Sequence, residues 1–181
     1  MHCEPSNETG VLGVPLNLME RVMFLRSTAL CSGLPDPALR TIAEVAHERN
    51  YAPNDVLCYE HDLGTDMFLI VDGRVEVRKA GSRPPDGARG DELGRLLVVL
   101  ERGECVGEMS VLDDQPRSAS VVAQGDVSVF TIQKEDLRDA IALCPDLAFG
   151  LFRVLAGRLR NVGSSATAPQ PSPAPQSANP S

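Results

Sequence analysis

The sequence has no run of apolar residues approaching the roughly 18 that a membrane-spanning helix requires. Its first ten residues, MHCEPSNETG, contain no basic segment followed by an apolar stretch, so a secretory signal peptide is not predicted either. Both absences favour a soluble protein that stays inside the cell. We therefore expect a cytoplasmic location.

Positive charge is also scarce. The 181 residues include 17 lysines and arginines against 25 aspartates and glutamates, which gives a formal net charge of -8. Proteins that bind nucleic acids or anionic membranes usually present an excess of basic residues. We therefore expect neither nucleic acid nor a membrane as a direct partner.

The usual constellations of metal-binding and catalytic residues are missing as well. The five cysteines are scattered without a Cys-x-x-Cys pair, which argues against a disulfide framework or a zinc knuckle and favours reduced thiols. His47 and His61 have no partners at metal-ligand spacing, and Ser110 and Ser118 have no histidine at motif distance. We expect no metal, no cofactor and no catalytic residue, so an enzyme is not predicted.

One domain accounts for most of the chain. Residues 163–181, GSSATAPQPSPAPQSANPS, contain five prolines and no charged residue, a composition that predicts a disordered tail rich in proline, serine and alanine. Residues 1–15 are predicted to be a disordered head. The domain then spans residues 16–162, and within it the polar segment 81–94 is predicted to be an extended loop.

Short apolar or alternating runs fill the middle of the chain. They are VLCY from residue 56, MFLIV from 67, RVEV from 74, LLVVL from 96, SVVA from 120 and VSVFTI from 127. Each is bounded by turn residues, so we predict six strands, and strands at this spacing favour a sandwich or barrel. Asp72-Gly73, between two of these runs, is the strongest local signal for a β-hairpin.

Helical periodicity flanks the strands. A first helix is predicted in LNLMERVMFLRST, and a second is predicted to start with Asp36 as its N-cap and Pro37 at its first position, with His47 on that helix. Helices return in KEDLRDAIAL from residue 134 and in PDLAFGLFRVLAGRLRNV from residue 145. The predicted fold class is mainly β with flanking helices, an α+β arrangement.

The stretch GEMSVLDDQPRSAS, residues 107–120, places one arginine after three carboxylates. Gly107 allows a ligand to approach the backbone, and the N–H groups of a short following helix can donate to an anion. The guanidinium of Arg117 can grip two oxygens of one phosphate, whereas Glu108 can only accept hydrogen bonds, for example from a hydroxyl. A ribose phosphate carries both groups.

By themselves, a glutamate and an arginine nine residues apart would more often form a surface ion pair. The stretch, however, resembles the phosphate-binding cassette of the cyclic nucleotide-binding domain family: Gly-Glu, two small or apolar residues, a variable loop, then Pro-Arg-small-Ala. The segment LGTDMFLIVDGRVEV resembles the hairpin that precedes the cassette, and the resemblance covers about residues 20–162. The positions that match the cassette in register are Gly107, Glu108, Met109, Ser110, Pro116, Arg117, Ser118 and Ala119.

The resemblance implies a jelly-roll barrel, or double-stranded β-helix, with N-terminal helices and a C-terminal lid helix. It also implies that Glu108 binds the ribose 2′-hydroxyl and Arg117 the cyclic phosphate, with support from the backbone and hydroxyls around Ser110 and Ser118. The implied ligand-binding residues are Gly107, Glu108, Met109, Ser110, Arg117, Ser118 and Ala119.

Three positions depart from the family pattern. Asn54 and His61 stand near turns where the family usually has glycine, and Asn adopts positive φ more readily than His. Val106 precedes the cassette glycine where an aromatic residue is common.

The helix from Pro145 is predicted to be the lid, with one apolar face for the roll and another for the ligand or a second subunit. No helix-turn-helix sequence follows it, so a DNA-binding domain is not expected. The chain is predicted to be a regulatory module that binds cyclic AMP in preference to cyclic GMP and signals through a protein effector or a homodimer. The alternative is a ligand-free relative of the fold that serves in protein interaction or dimerisation.

Overall fold

Two β-sheets with helices before and after them form the part of the chain that the structure describes. The structure is a computed structural model that describes residues 15–79 and 93–165, the last five as backbone only. In chain order its elements are α1 (Leu18–Ser27), α2 (Asp36–Val45), β1 (His47–Tyr51), β2 (Val56–Cys58), β3 (Asp66–Asp72), β4 (Arg74–Lys79), β5 (Arg95–Glu101), β6 (Cys105–Val106), α3 (Glu108–Asp113), β7 (Ser120–Ala123), β8 (Val127–Gln133), α4 (Lys134–Leu143) and α5 (Asp146–Ser165).

The strands pair into two four-stranded sheets that are antiparallel throughout. The first sheet has the order β1-β8-β3-β6, and the second has the order β2-β7-β4-β5. The sheets face each other across an apolar interior, as expected for a jelly roll. This arrangement, with the flanking helices, confirms the predicted fold class and all six predicted strands.

The predicted hairpin at Asp72-Gly73 is wrong. β3 pairs with β8 and β6, whereas β4 pairs with β5 and β7, so the chain passes from one sheet to the other at Gly73. Gly73 has φ of +82°, and a Cβ on it would lie 2.3 Å from the carbonyl oxygen of Asp126. A glycine turn between strands therefore does not by itself distinguish a hairpin from a change of sheet.

The assignments around α2 also need correction. Pro35 is the N-cap, and it makes no side-chain capping hydrogen bond. Asp36 is the first residue of the helix, not its N-cap. His47 does not lie on α2 but opens β1, opposite Thr131 of β8. HERNY does not predict β1 because it is polar: none of its side chains is buried, so they show no apolar alternation.

β3 lies between two apolar clusters, which explains its continuous run of apolar residues. Met67, Leu69 and Val71 pack with residues of the helices, while Phe68 and Ile70 pack inside the roll. Successive side chains of a strand point to opposite faces, so both faces of β3 are covered. This strand also supports the candidate site, because Phe68 and Leu69 pair with β6.

The final helix, α5, has one buried and one exposed apolar face, as predicted. Leu147 and Leu151 are each 1% exposed and belong to the main core cluster, while the outer face carries Phe149, Phe152 and Leu159 at 61%, 60% and 75% exposure. Gly150 fits against the carbonyl of Leu30, where a Cβ would lie 1.9 Å from the oxygen. The first half of α5 is therefore part of the domain core.

Several predictions fall partly or wholly outside the described residues. These are the disordered head, most of the loop at 81–94 and the tail from residue 166. α5 continues to Ser165, so the predicted domain end at residue 162 lies within that helix. Among the described residues, no single helix is long and apolar enough to cross a membrane. α4 and α5 reach that length and apolar content only when taken together, and the chain bends by 120° between them.

Candidate functional site

The cassette stretch forms a turn, a short helix and a loop on one end of the roll. Gly107 has φ of +86° and directly precedes α3, and Asp114 ends that helix with φ of +59°. This is the single helical turn that the sequence predicts. The carboxylate of Asp114 then forms ion pairs with Lys134 and, at 3.2 Å, with Arg138, which tie the end of α3 to α4.

A glycine is required at position 107 for space as well as for conformation. A Cβ there would lie 2.2 Å from Nη1 of Arg117 and 3.3 Å from the carbonyl oxygen of Asp66. Contacts under about 3 Å cannot be accommodated unless one partner moves. The close approach of this backbone to the guanidinium therefore depends on the absence of a side chain.

The loop that carries Arg117 is held against the segment before β3. The backbone N–H of Arg117 donates to the carbonyl of Asp62 at 2.8 Å, and its carbonyl accepts from the N–H of His61 at 2.9 Å. An isolated β-bridge joins Leu63 and Pro116 next to them. His61 adopts φ of +70°, as does Asn54, so both residues take the backbone conformation for which the family commonly uses glycine.

Arg117 is 4% exposed, and both terminal nitrogens of its guanidinium form hydrogen bonds. Nη1 donates to the carbonyl of Gly107 at 3.1 Å and to Oγ of Ser110 at 3.0 Å, and Nη2 donates to Oδ1 of Asp66 at 2.6 Å. Cζ lies 5.5 Å from the centre of the Phe68 ring, within cation–π range. The position of this buried cation is thus set by three polar groups and one aromatic face.

Glu108, in the first turn of α3, is 0% exposed. Its Oε1 accepts a hydrogen bond from Nη1 of Arg158, on α5, whose Nη2 donates to the carbonyl of Cys105. Its Oε2 is buried without a hydrogen-bond partner. A buried carboxylate oxygen without a donor is costly, and such groups in native proteins call for an explanation.

The other predicted site residues surround these two. Ser110 is buried and donates to the carbonyl of Gly107 at 3.2 Å while it accepts from Arg117. Met109 is 48% exposed on the outer side of α3. Ser118 is exposed and Ala119 is half-buried. Ser110 therefore supports the guanidinium of Arg117, whereas the side chains of Met109 and Ser118 remain accessible.

Some residues of the site were not assigned a role from the sequence. Asp66 and Phe68 were placed only within the segment that resembles the family hairpin, although they contact Arg117 directly. Gly64 leaves room for Ser110 and Arg117, because a Cβ there would lie 2.3 Å from Oγ of Ser110. The sequence signal for Asp66 is its place in the segment that resembles the family hairpin, whereas its contact with Arg117, 51 residues away, depends on the tertiary structure.

The thiols near the site are held in their neutral form. Burial raises the pKa of Cys58 to about 11, against an opposing effect of Arg117. Burial, with a smaller contribution from Glu108, raises the pKa of Cys105 to about 12. Cys31, Cys58, Cys105 and Cys144 are all free thiols. No group of three metal-ligating side chains occurs in residues 15–79 and 93–165.

A family model described as "Cyclic nucleotide-binding domain" matches residues 48–143, from β1 to the end of α4. The chain belongs to the cyclic nucleotide-binding domain family. The matched segment contains the whole cassette and both sheets, whereas α5 follows it.

Individual relatives agree with this assignment. The chain is 32% identical to the "Cyclic AMP receptor protein" of Thermus thermophilus over 75% of this chain and 59% of that protein. It is 27% identical to the human "cGMP-dependent protein kinase 2" over 68% of this chain and 16% of that protein. The crystal structure of Thermus thermophilus catabolite activator protein superposes with a TM-score of 0.64 and 31% identity, over 77% of this chain and 62% of that one. The chain thus spans less than two thirds of the length of each of these relatives.

Proposed function

We propose that this domain binds a cyclic nucleotide between α3 and the roll and that it transmits occupancy to a protein partner through α5. The observation that carries the proposal is the buried Oε2 of Glu108, which has no hydrogen-bond partner and lies one residue after Gly107, whose carbonyl accepts from Arg117. A ligand whose hydroxyl donates to Oε2 of Glu108 and whose anionic group binds the guanidinium of Arg117 satisfies both residues. A cyclic nucleotide has both on one ribose ring.

Arg117 is proposed to bind the cyclic phosphate. Its guanidinium is held by Gly107, Ser110 and Asp66, so little rotamer entropy remains to be lost when an anion binds. A planar guanidinium donates two parallel hydrogen bonds to phosphate oxygens, which a lysine cannot do. The backbone around Ser110 and the accessible Ser118 are proposed as further donors.

Glu108 is proposed to accept the ribose 2′-hydroxyl. The carboxylate lies in the first turn of α3, one residue after the glycine that approaches Arg117. An accepting oxygen that is already desolvated pays no further desolvation when a hydroxyl reaches it. The proposal therefore includes a preference for ribose over 2′-deoxyribose ligands.

Cyclic AMP is proposed as the better ligand. From Leu147 to Arg160, α5 contains no acidic residue that could accept from the N–H groups of guanine. Its polar side chains near the end include Arg158, and a guanidinium stacks on an adenine face. Ser118 supplies a hydroxyl that could also bond guanine, so the base preference is expected to be modest.

The outer face of α5 is proposed as the output surface. Phe149 and Phe152 contact each other edge to face, with ring centres 6.3 Å apart, and both are mostly exposed. Exposed aromatic pairs on a helix are typical of protein interfaces. A protein effector or a second copy of the chain is the proposed partner.

A second candidate function follows from the pairing of the two key groups within the protein. Arg117 already contacts Asp66, and Glu108 already contacts Arg158, so the site is partly neutralised without a ligand. This arrangement would also suit a ligand-free domain that acts in protein interaction or dimerisation. Under that reading no cyclic nucleotide binds.

Calorimetric titration with cyclic AMP and with cyclic GMP tests the proposal. We expect binding by the wild type and a loss of at least about tenfold in Arg117→Leu, because truncating one partner of a buried charge pair costs roughly 2 to 5 kcal/mol and about 1.4 kcal/mol is tenfold. The matched control is Arg74→Leu, since Arg74 is exposed and lies 3.9 Å from Glu101 on the outer surface. Absence of binding to the folded wild type would leave the interaction module as the function.

A further inference from the structure

Asp114 ends α3 and begins the loop that carries Arg117. It adopts φ of +59° and ψ of +20°, in the left-handed region that most residues avoid. Only Gln115 and Pro116 separate it from Arg117. The position of Asp114 therefore sets where this short loop starts.

The carboxylate of Asp114 is held by two cations of α4. It accepts from Nζ of Lys134, the first residue of that helix, and from Nη2 of Arg138, at 3.4 Å to Oδ1 and 3.2 Å to Oδ2. Residues four positions apart lie on the same face of a helix, so both cations can reach one carboxylate. We call these three residues the Asp114 clamp.

Lys134 connects the clamp to the strand that contacts Arg117. Its side chain is only 19% exposed, whereas lysine side chains are mostly exposed. Its backbone N–H donates to the carbonyl of Thr65 at 2.9 Å, and Thr65 directly precedes Asp66, which accepts from Arg117. Lys134 therefore holds the end of α3 and the start of β3 in one arrangement.

The loop is thus fixed at both of its ends. At the far end, the backbone of Arg117 is bonded to the backbone of His61 and Asp62. At the near end, the Asp114 clamp holds it against α4. A loop that is already ordered loses less conformational entropy when its arginine binds an anion.

We propose that Asp114, Lys134 and Arg138 are positioning residues for anion binding by Arg117. The clamp fixes the loop of Arg117 before a nucleotide arrives, and it acts through that loop rather than by contact with the phosphate. This inference rests on the proposed function and deepens it.

Charge alone predicts the opposite effect of Asp114. A carboxylate close to an anion site repels the phosphate, so its removal should strengthen binding. Asp113 provides the matched comparison, because its Oδ1 accepts from the backbone N–H of Gln115, at 3.1 Å, rather than from a side chain of α4. Asp113 and Asp114 carry the same charge in the same stretch, but only Asp114 belongs to the clamp.

The test measures cyclic AMP binding to the full chain by calorimetry for Asp114→Asn and Asp113→Asn. We expect Asp114→Asn to weaken binding about fivefold, or about 1 kcal/mol, as for the stronger of partly exposed ion pairs. Asp113→Asn should leave the affinity unchanged or raise it slightly. Asparagine also tolerates the left-handed conformation, so Asp114→Asn removes the charge without adding backbone strain.

The effect of Asp114→Asn should depend on the two cations. In a Lys134→Met/Arg138→Met background the clamp is already absent, so Asp114→Asn should no longer weaken binding there and should make it slightly tighter. A role of Asp114 that does not involve these cations would give the same loss in both backgrounds. Thermal unfolding verifies that each variant is folded.

Asp114→Gly gives a second measurement if the variant without the two cations does not fold. Glycine relieves the left-handed strain while it removes the clamp, so affinity should fall about fivefold with little change in melting temperature. Asn54→Gly is the matched control: Asn54 has φ of +70°, and its N–H donates to the carbonyl of Ala123, at the end of β7 away from the cassette. This control should not lose affinity.

Three results would each overturn the inference while leaving the proposed function intact. The first is binding by Asp114→Asn as tight as that of the wild type or tighter, and the second is an equal loss with and without the two cations. The third is wild-type affinity in Asp114→Gly. No binding of cyclic AMP or cyclic GMP to the wild type would instead overturn the proposed function, and this inference with it.

Discussion

Asp66 accepts a hydrogen bond of 2.6 Å from Arg117 across the base of the cassette, between residues 51 positions apart. The pair is largely shielded from solvent, with side-chain exposures of 22% and 4%. Asp66 thus orients the guanidinium that is proposed to bind phosphate, but its negative charge also opposes the arrival of an anion.

Asp66→Asn should therefore strengthen nucleotide binding. The amide oxygen can still accept from Arg117, so orientation is kept, while removal of a unit charge at close range is worth about 1 kcal/mol, or severalfold in affinity. Calorimetry at two salt concentrations measures the effect. Weaker binding by a folded Asp66→Asn protein would show that the charge of Asp66 is needed to hold Arg117.

Gly107→Ala should abolish most nucleotide binding, whereas Gly103→Ala should not. Both glycines have positive φ, of +86° and +88°, so alanine strains each by roughly 1 to 2 kcal/mol. The added Cβ meets Nη1 of Arg117 at position 107 and nothing within 4 Å at position 103. We expect the two variants to lose melting temperature to a similar extent, but only Gly107→Ala to lose affinity, by at least about tenfold. Equal affinities of the two variants would contradict this account.

The end of α5 is expected to cover the base of the nucleotide. Removal of the helix from Pro145 would also remove Leu147 and Leu151 from the core, so a truncation after Leu155 is the sharper test. Covering roughly 60 Å² of a purine face contributes about 1.5 kcal/mol, so affinity should fall about tenfold. Unchanged affinity after truncation would rule out the lid.

Base preference is measured in the same proteins by competition against a fluorescent nucleotide analogue. Cyclic AMP is expected to compete better than cyclic GMP on the full-length chain, because α5 carries no acidic residue from Leu147 to Arg160 that could accept from guanine. Better competition by cyclic GMP would contradict the proposed preference.

Cys105 should resist alkylation in the folded protein. Its pKa is raised to about 12 by burial and by Glu108, so its thiolate fraction at pH 8 is about 10⁻⁴, against roughly a quarter for an ordinary thiol of pKa ~8.5. Labelling should rise about tenfold with each pH unit and remain far below its maximum at pH 10. Peptide mapping after iodoacetamide treatment, with guanidinium-unfolded protein as control, measures this; equal labelling of Cys105 in both states would contradict it.

Local patterns in the sequence were sufficient for the elements whose environment is regular. The six apolar runs predict strands whether their side chains are fully buried, as in β7, or mostly exposed, as in β5. The stretch from Gly107 to Ala119 predicts the turn and short helix that the structure contains. The two faces of α5 follow from helical periodicity. In each case the signal lies within a few residues of the element that it describes.

Other features could not be read from neighbouring residues. β1 is polar and has no buried side chain, and the chain changes sheets at Gly73 because β3 and β4 pair with strands far along the chain. The same limit applies at the site, where Asp66 meets Arg117 and Arg158 meets Glu108 across about 50 residues.

The sequence by itself thus determined six of the eight strands, the helices on either side of them, the cassette and the chemical types of its two charged residues. Only the tertiary structure decided which partners those charges have, that Oε2 of Glu108 is buried without a hydrogen-bond partner, and that α5 reaches the cassette. The physical reason is that periodicity and turn propensity act over a few residues, whereas ion pairs and burial depend on how distant segments pack.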